Sequence, residues 1–162
     1  MSGPGTAAAL WSALGSLPLA HLVPTGLGPW GDGMARLMLQ PLDLLLLVAL
    51  VLLAVQNGRS WSDRLALVLP LSWLVGGLGG LLVGRELPLA LLCAVIVTAM
   101  GVLAALGPAL RLGERFLRGG TAALPLLFGL VAGSSLAGHG GALQALLGEA
   151  VAIAVVTALL LM

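Results

Sequence analysis

Two acidic residues, Asp43 and Glu149, stand inside long apolar stretches of this sequence. At a rise of 1.5 Å per residue, each carboxyl group lies about 9 to 10 Å from the predicted start of its stretch, at Leu37 and Ala142 respectively. A charged carboxylate surrounded by hydrocarbon costs a few kcal/mol, so it needs a partner, a proton or water. Such carboxyl groups could bind a cation or carry a proton.

Four further polar residues are predicted to reach the same depth as the two carboxyl groups, namely Ser134, Ser135, His139 and Glu86. Two interpretations remain open for this intramembrane polar site. It could bind a cation or a proton, or its hydroxyl and backbone groups could satisfy the carboxyl groups and tie helices together. Both histidines of the chain, His21 and His139, are predicted to be loop or interface residues rather than ligands.

The sequence contains no combination of residues typical of an active site. It has no nucleophile–base–orienter trio, no clustered metal ligands and no phosphate-binding loop. Its one cysteine, Cys93, allows no disulfide within the chain. A net charge of +1 excludes a basic nucleic-acid surface. We therefore predict that the protein is not an enzyme, that it has no cofactor and no metal site, and that it does not bind nucleic acid.

The composition indicates that lipid is the main solvent of the chain. Of 162 residues, 60% are hydrophobic and only 8% are charged, whereas soluble domains carry roughly 25% charged residues. A chain of this composition cannot cover a water-facing surface. The predicted fold class is all-α, an integral membrane helical bundle of five or six transmembrane helices, with the lipid bilayer and other membrane protein subunits as partners.

Runs of about 20 apolar residues, which can cross some 30 Å of hydrocarbon, define the predicted spans. There are five, at 37–56, 65–84, 87–109, 121–138 and 142–162. Residues 1–36 are predicted to form an N-terminal membrane-associated or spanning segment followed by a Gly/Pro-rich loop at 24–33, and 37–162 a five-helix transmembrane domain. Whether 7–23 spans the bilayer, re-enters it or lies at its interface remains open.

Arginine counting predicts the orientation in a bacterial inner membrane, since positive residues favour the cytoplasmic side. Loops 57–64 and 110–120 are predicted to be cytoplasmic, together with the C-terminus. The arginines on that side are Arg59, Arg64, Arg111, Arg115 and Arg118, against Arg36 and Arg85 on the other side.

Small residues recur at four-residue spacing in two of the predicted spans. They are Gly76, Gly80 and Gly84 in one span and Gly129, Gly133 and Ala137 in the other. In lipid, such faces allow close approach of helix backbones and favour helix packing. They could pack within the chain's own bundle or against another subunit.

The order of these features resembles the HupE/UreJ family, the hydrogenase- and urease-linked nickel/cobalt permeases. The resemblance covers 37–162 and rests on the segments Pro41-Leu42-Asp43-Leu44, Leu69-Pro70-Leu71, Glu86-Leu87 and Phe128 to Ala137, and on Gly148. It implies a helical membrane domain with a metal-transport function.

The family's metal-binding histidines, however, are missing from this chain. Their positions fall on Leu37, Leu44, Ala132 and Leu136, while Asp43 and Gly133 match the family pattern. Nickel and cobalt favour imidazole nitrogen, and leucine and alanine offer no lone pair. We therefore expect this chain to have lost the family's metal selectivity.

Two functions follow as expectations. The first is a non-catalytic accessory or structural subunit of a larger membrane complex, HupE/UreJ-like in fold. The alternative is a small transporter for nickel, cobalt or another cation that uses Asp43 and Glu149.

Overall fold

The computed structural model describes residues 25–106 and 114–162, except for the side chains of Ala90 and of 114–118. Within these ranges the chain forms helices and no strands, which confirms the predicted all-α class. The helices are α1 (Gly28–Leu39), α2 (Pro41–Gln56), α3 (Arg59–Val83), α4 (Ala90–Leu106), α5 (Glu114–Leu136) and α6 (Ala142–Leu161). The N-terminal segment 7–23 lies outside the described residues.

Three of the described helices are long and apolar enough to cross a membrane: α3, the 119–136 part of α5, and α6. Together α1 and α2 would supply a fourth span, bent by 70° between its halves. The apolar helix α4, at 17 residues, is shorter. The described helices are thus compatible with a membrane location, and they supply three or four candidate spans where the sequence predicted five or six.

The predicted span 37–56 is broken, not continuous. Gln40 has an extended backbone, with φ −98° and ψ 98°, and Pro41 begins α2 directly after it. The proline ring disfavours a helical conformation in the residue before it, which explains a break at this position. The structure also differs from the predicted loop 24–33, because α1 begins within it, at Gly28. Likewise, α5 begins at Glu114, inside the predicted loop 110–120.

Two helix pairs dominate the packing, α3 with α5 and α1 with α6. Helix α6 also packs against α3, so it joins the two pairs, while α4 packs mainly on α2. The core between these helices is almost entirely apolar and includes Leu50, Trp73, Phe128 and Ile153. Any charged group inside it is therefore shielded from water.

Four glycines of the predicted small-residue faces lie where α3 and α5 touch. A Cβ atom on any of them would overlap a backbone carbonyl oxygen of the facing helix. They are Gly76, Gly80, Gly129 and Gly133, which face the carbonyls of Leu126, Leu130, Trp73 and Gly77 respectively. The contact is within the chain, so these glycines bring its own two helices together.

The other two residues of those faces are placed differently from the prediction. Gly84 ends α3 in the left-handed conformation, with φ +69°, and a Cβ there would have no neighbour within 4 Å among the described residues. Ala137 lies in the turn after α5. Gly84 therefore terminates its helix, as C-terminal glycines commonly do, and makes no close helix contact within the described residues.

Candidate functional site

Three ionisable side chains meet inside the bundle: Arg36 of α1, Asp43 of α2 and Glu149 of α6. Nη1 of Arg36 lies 3.9 Å from Oε2 of Glu149, and the two side chains are only 4% and 0% exposed. Asp43 is 7% exposed and interacts electrostatically with both of them. We call these three residues the charge cluster.

Close backbone contact between α1 and α6 positions the first and third members of the cluster. A Cβ on Gly33 would overlap the carbonyl oxygen of Ala145, and one on Gly148 would overlap that of Trp30. Arg36 follows Gly33 by three residues, so both lie on the same side of α1. Glycine at these two contacts therefore lets α1 approach α6 closely enough to place Arg36 beside Glu149.

The break at Gln40 positions the second member. Because α2 leaves the break at 70° to α1, Asp43 comes back towards the cluster from the first turn of α2. The free N–H groups of a first helical turn favour a negative charge there. In the described part of the chain, α1 and α2 are the one pair of helices that would form a single span with a break in it. Asp43 lies beside that break.

Helix α5 anchors the guanidinium group. Nη1 of Arg36 donates a hydrogen bond to the Ala132 carbonyl oxygen at 3.0 Å, and Nη2 donates one to Oγ of Ser135 at 2.7 Å. Oγ of Ser135 in turn donates to the Ala132 carbonyl oxygen at 2.7 Å. Arg36 is therefore held in place by two neutral groups of α5 as well as by its ion pair.

Several buried polar atoms of the site have no hydrogen-bond partner within residues 25–106 and 114–162. They are Nε of Arg36, Oδ2 of Asp43, both carboxylate oxygens of Glu149 and Nε1 of Trp73; Oγ1 of Thr157, further along α6, also lacks one. The indole N–H of Trp73 interacts with the Glu149 carboxyl group, but the two do not meet the geometry of a hydrogen bond. Buried polar groups are satisfied in most proteins, so such a concentration in one place needs an explanation.

The site is tightly packed around Asp43. The space between Asp43 and the apolar side chains next to it, including Leu37, Leu47 and Ile153, is too small to admit a water molecule. With both carboxyl groups ionised, the cluster would carry a net charge of −1. A net charge in a dry interior is costly, so the cluster favours the uptake of one positive charge.

The structure brings together some of the predicted site residues and separates others. Asp43, Glu149 and Ser135 share one site. Ser134 is buried, but its Oγ accepts a hydrogen bond from the Leu87 backbone N–H at 3.3 Å and donates one to the Val131 carbonyl oxygen, so it faces the segment before α4. Glu86 and His139 are exposed. The last three therefore lie apart from the charge cluster.

Arg36 was missed as a site residue, because the prediction only counted it among the arginines on the non-cytoplasmic side of the membrane. Its immediate neighbours Met34, Ala35, Leu37 and Met38 are apolar, so a single arginine interrupts an otherwise apolar run. That run was the signal available in the sequence. The prediction left Arg36 outside the spans, which began at Leu37, because the glycines and prolines of 24–33 are typical of a loop and gave no sign that α1 begins at Gly28.

The four residues at the positions where the predicted resemblance would have histidines are apolar. Leu37, Ala132 and Leu136 are buried, Leu44 is partly buried, and the Ala132 carbonyl accepts a hydrogen bond from Arg36. Within the described parts of the chain, no group of three or more His, Cys, Asp or Glu side chains could hold a metal ion. Of the four residues, the hydrogen bond from Arg36 places Ala132 at the charge cluster.

Comparisons of the chain with protein-family models, characterised proteins and solved structures give no match.

Proposed function

We propose that this protein is a small inner-membrane transporter for a cation, with Asp43 and Glu149 as its carrier carboxyl groups. The observation that supports this most is the burial of both carboxyl groups beside Arg36, with both oxygens of Glu149 and one of Asp43 lacking hydrogen-bond partners among the described residues. Ionisable groups within membrane segments are costly, and they commonly mark ion pathways or proton relays.

The broken helix supports the same proposal. Transporters often form their ion sites at helices that are interrupted inside the membrane, where backbone groups and side chains at the break contact the ion. Here the break at Gln40 separates α1 from α2 by 70°, and Asp43 follows it by three residues. A continuous α1–α2 helix would have no such feature beside its buried acid.

A purely structural network is the competing explanation, and it belongs with the predicted role of accessory subunit. The contacts of Arg36 with α5 and α6 would serve such a role. A structural network, however, gains stability only when its buried polar groups are satisfied. The carboxylate oxygens that lack hydrogen-bond partners among the described residues therefore favour transport. The accessory role stays a prediction, and comigration with other subunits in mild detergent would test it.

Replacing Asp43 by asparagine is expected to abolish cation flux, because the amide cannot ionise and so cannot bind and release a positive charge. Purified protein in liposomes would be assayed for uptake of H⁺, Na⁺, K⁺ and Ni²⁺. Flux through the Asp43→Asn variant should fall to the level of protein-free vesicles. The matched control is Asp63→Asn, which changes an exposed carboxyl group of α3 and should leave flux unaltered. Equal flux through wild type and Asp43→Asn would contradict the proposal.

The proposed orientation is tested by cysteine labelling in intact cells. In a Cys93→Ala background, a cysteine at Asn57 should react with a membrane-impermeant maleimide only after the cells are opened. A cysteine at Gly140 should react in intact cells, because the proposal places the α5–α6 turn on the outer side. Both positions are exposed, so access to the reagent is governed by the side of the membrane. The reverse pattern would invert the proposed topology.

A further inference from the structure

We infer that the cation handled by this site is a single proton, held by Asp43 next to a permanent Arg36–Glu149 ion pair. The inference rests on the proposed transport function and specifies its substrate. The charges of the cluster, the distances within it and the space around Asp43 each contribute to it.

The first argument is the balance of charge. Arginine stays protonated in proteins, so Arg36 contributes a fixed +1. Two ionised carboxyl groups contribute −2, so the net charge of the cluster is −1. One further positive charge makes the buried cluster neutral. A divalent ion such as Ni²⁺ would leave a net charge of +1 in a dry interior, and the interaction of charges there is strong. The cluster therefore favours a monovalent cation.

The second argument assigns the proton to one of the two carboxyl groups. Glu149 lies 3.9 Å from the guanidinium group of Arg36, whereas Asp43 lies beyond ion-pair distance from it. Glu149 therefore keeps its negative charge as the partner of Arg36, and Asp43 takes the proton. Among the described residues, the Cys93 thiol of α4 also interacts with Asp43, and a thiol in apolar surroundings is neutral. The nearby polar group of α3 is the indole of Trp73, which does not titrate.

The third argument is size. The space between Asp43 and its apolar neighbours is too small for a water molecule, and a dehydrated metal ion would need several oxygen ligands around it. A proton needs no cavity. It adds to one carboxylate oxygen of Asp43 as an O–H bond and leaves by breaking that bond, with no other bond changed.

Infrared spectroscopy in an ester-free detergent counts the protonated carboxyl groups of the cluster directly. Wild type should contain one, visible as a carboxylic acid band in the difference spectrum against Asp43→Asn. The Glu149→Gln variant should contain none, because Asp43 then becomes the ionised partner of Arg36. Arg36→Gln should contain two, and Arg36→Lys, which keeps the charge, should again contain one.

The count overturns the inference if wild type holds no protonated carboxyl group, or two. It also does so if Glu149→Gln keeps the acid band, since this would show that Asp43 is protonated regardless of the charge balance. Arg36→Lys and Glu149→Gln test the balance even if Arg36→Gln fails to fold.

A flux assay separates the failure of the inference from the failure of the proposed function. Liposomes loaded with a pH-sensitive dye and energised by a K⁺ diffusion potential should acidify only when they hold protein with Asp43, while Ni²⁺ and Na⁺ uptake stays at the protein-free level. Uptake of Ni²⁺ or Na⁺ that depends on Asp43 would overturn the proton assignment and leave transport intact. No flux of any cation would overturn the transport function, and the inference with it.

Discussion

The double variant Asp43→Asn/Glu149→Gln is expected to lose about 3–5 kcal/mol of unfolding free energy, because Arg36 then remains charged with no counter-charge beside it. Arg36 is only 4% exposed and cannot discard its proton. Its hydrogen bonds to the Ala132 carbonyl and Ser135 are to neutral groups and cannot replace a negative charge. Each single variant should lose much less, because one carboxylate still faces the guanidinium group.

The effect of the double variant should therefore exceed the sum of the two single variants, as is typical of residues that share one partner. The unfolding free energy can be measured by titrating SDS into mixed micelles and following tryptophan fluorescence. Adding Arg36→Met to the double variant should recover most of the loss, since buried ion pairs can often be replaced by apolar residues without loss of stability. Small and additive losses would mean that Arg36 does not depend on these two carboxyl groups.

Gly133→Ala is expected to lower the unfolding free energy by about 1–3 kcal/mol, the usual range for forcing extra atoms into a packed interior. The new Cβ would overlap the backbone carbonyl oxygen of Gly77, which cannot rotate away, so α3 and α5 must separate. Alanine favours a helix by about 1 kcal/mol over glycine in a helix interior. Destabilisation would therefore show that packing outweighs helix propensity at this position.

Gly79→Ala is the matched control for Gly133→Ala. A Cβ at Gly79 would lie 3.8 Å from Cδ1 of Leu130, an ordinary van der Waals distance, so this variant should be as stable as wild type or slightly more stable. The same SDS titration applies. The fluorescence of Trp73 on α3 also reports on the α3–α5 contact, because the centroid of its ring lies 6.3 Å from the ring centroid of Phe128 on α5. Equal stability of the two variants would contradict the close α3–α5 approach.

The sequence by itself determined the helical class and the apolar character of the helices. Both follow from local composition. In lipid, a run of about 20 apolar residues can make all its backbone hydrogen bonds within the segment only as a helix. The same reasoning singled out Asp43 and Glu149, since an acid in such a run is unusual wherever the helix lies. Glycine spacing likewise indicated which faces of α3 and α5 allow close approach.

The tertiary structure alone decided which polar residues meet. Arg36 enters the site because α1 packs on α6 and because it donates to Ala132, 96 residues further along the chain. Glu86 and His139 are exposed in the connections between helices, and Ser134 faces the segment before α4. A hydropathy profile averages the polarity of a residue with that of its neighbours in sequence. The partner of a buried charge, in contrast, lies on a helix from a distant part of the chain. The composition of one segment therefore predicts its burial but cannot identify the charge that it meets.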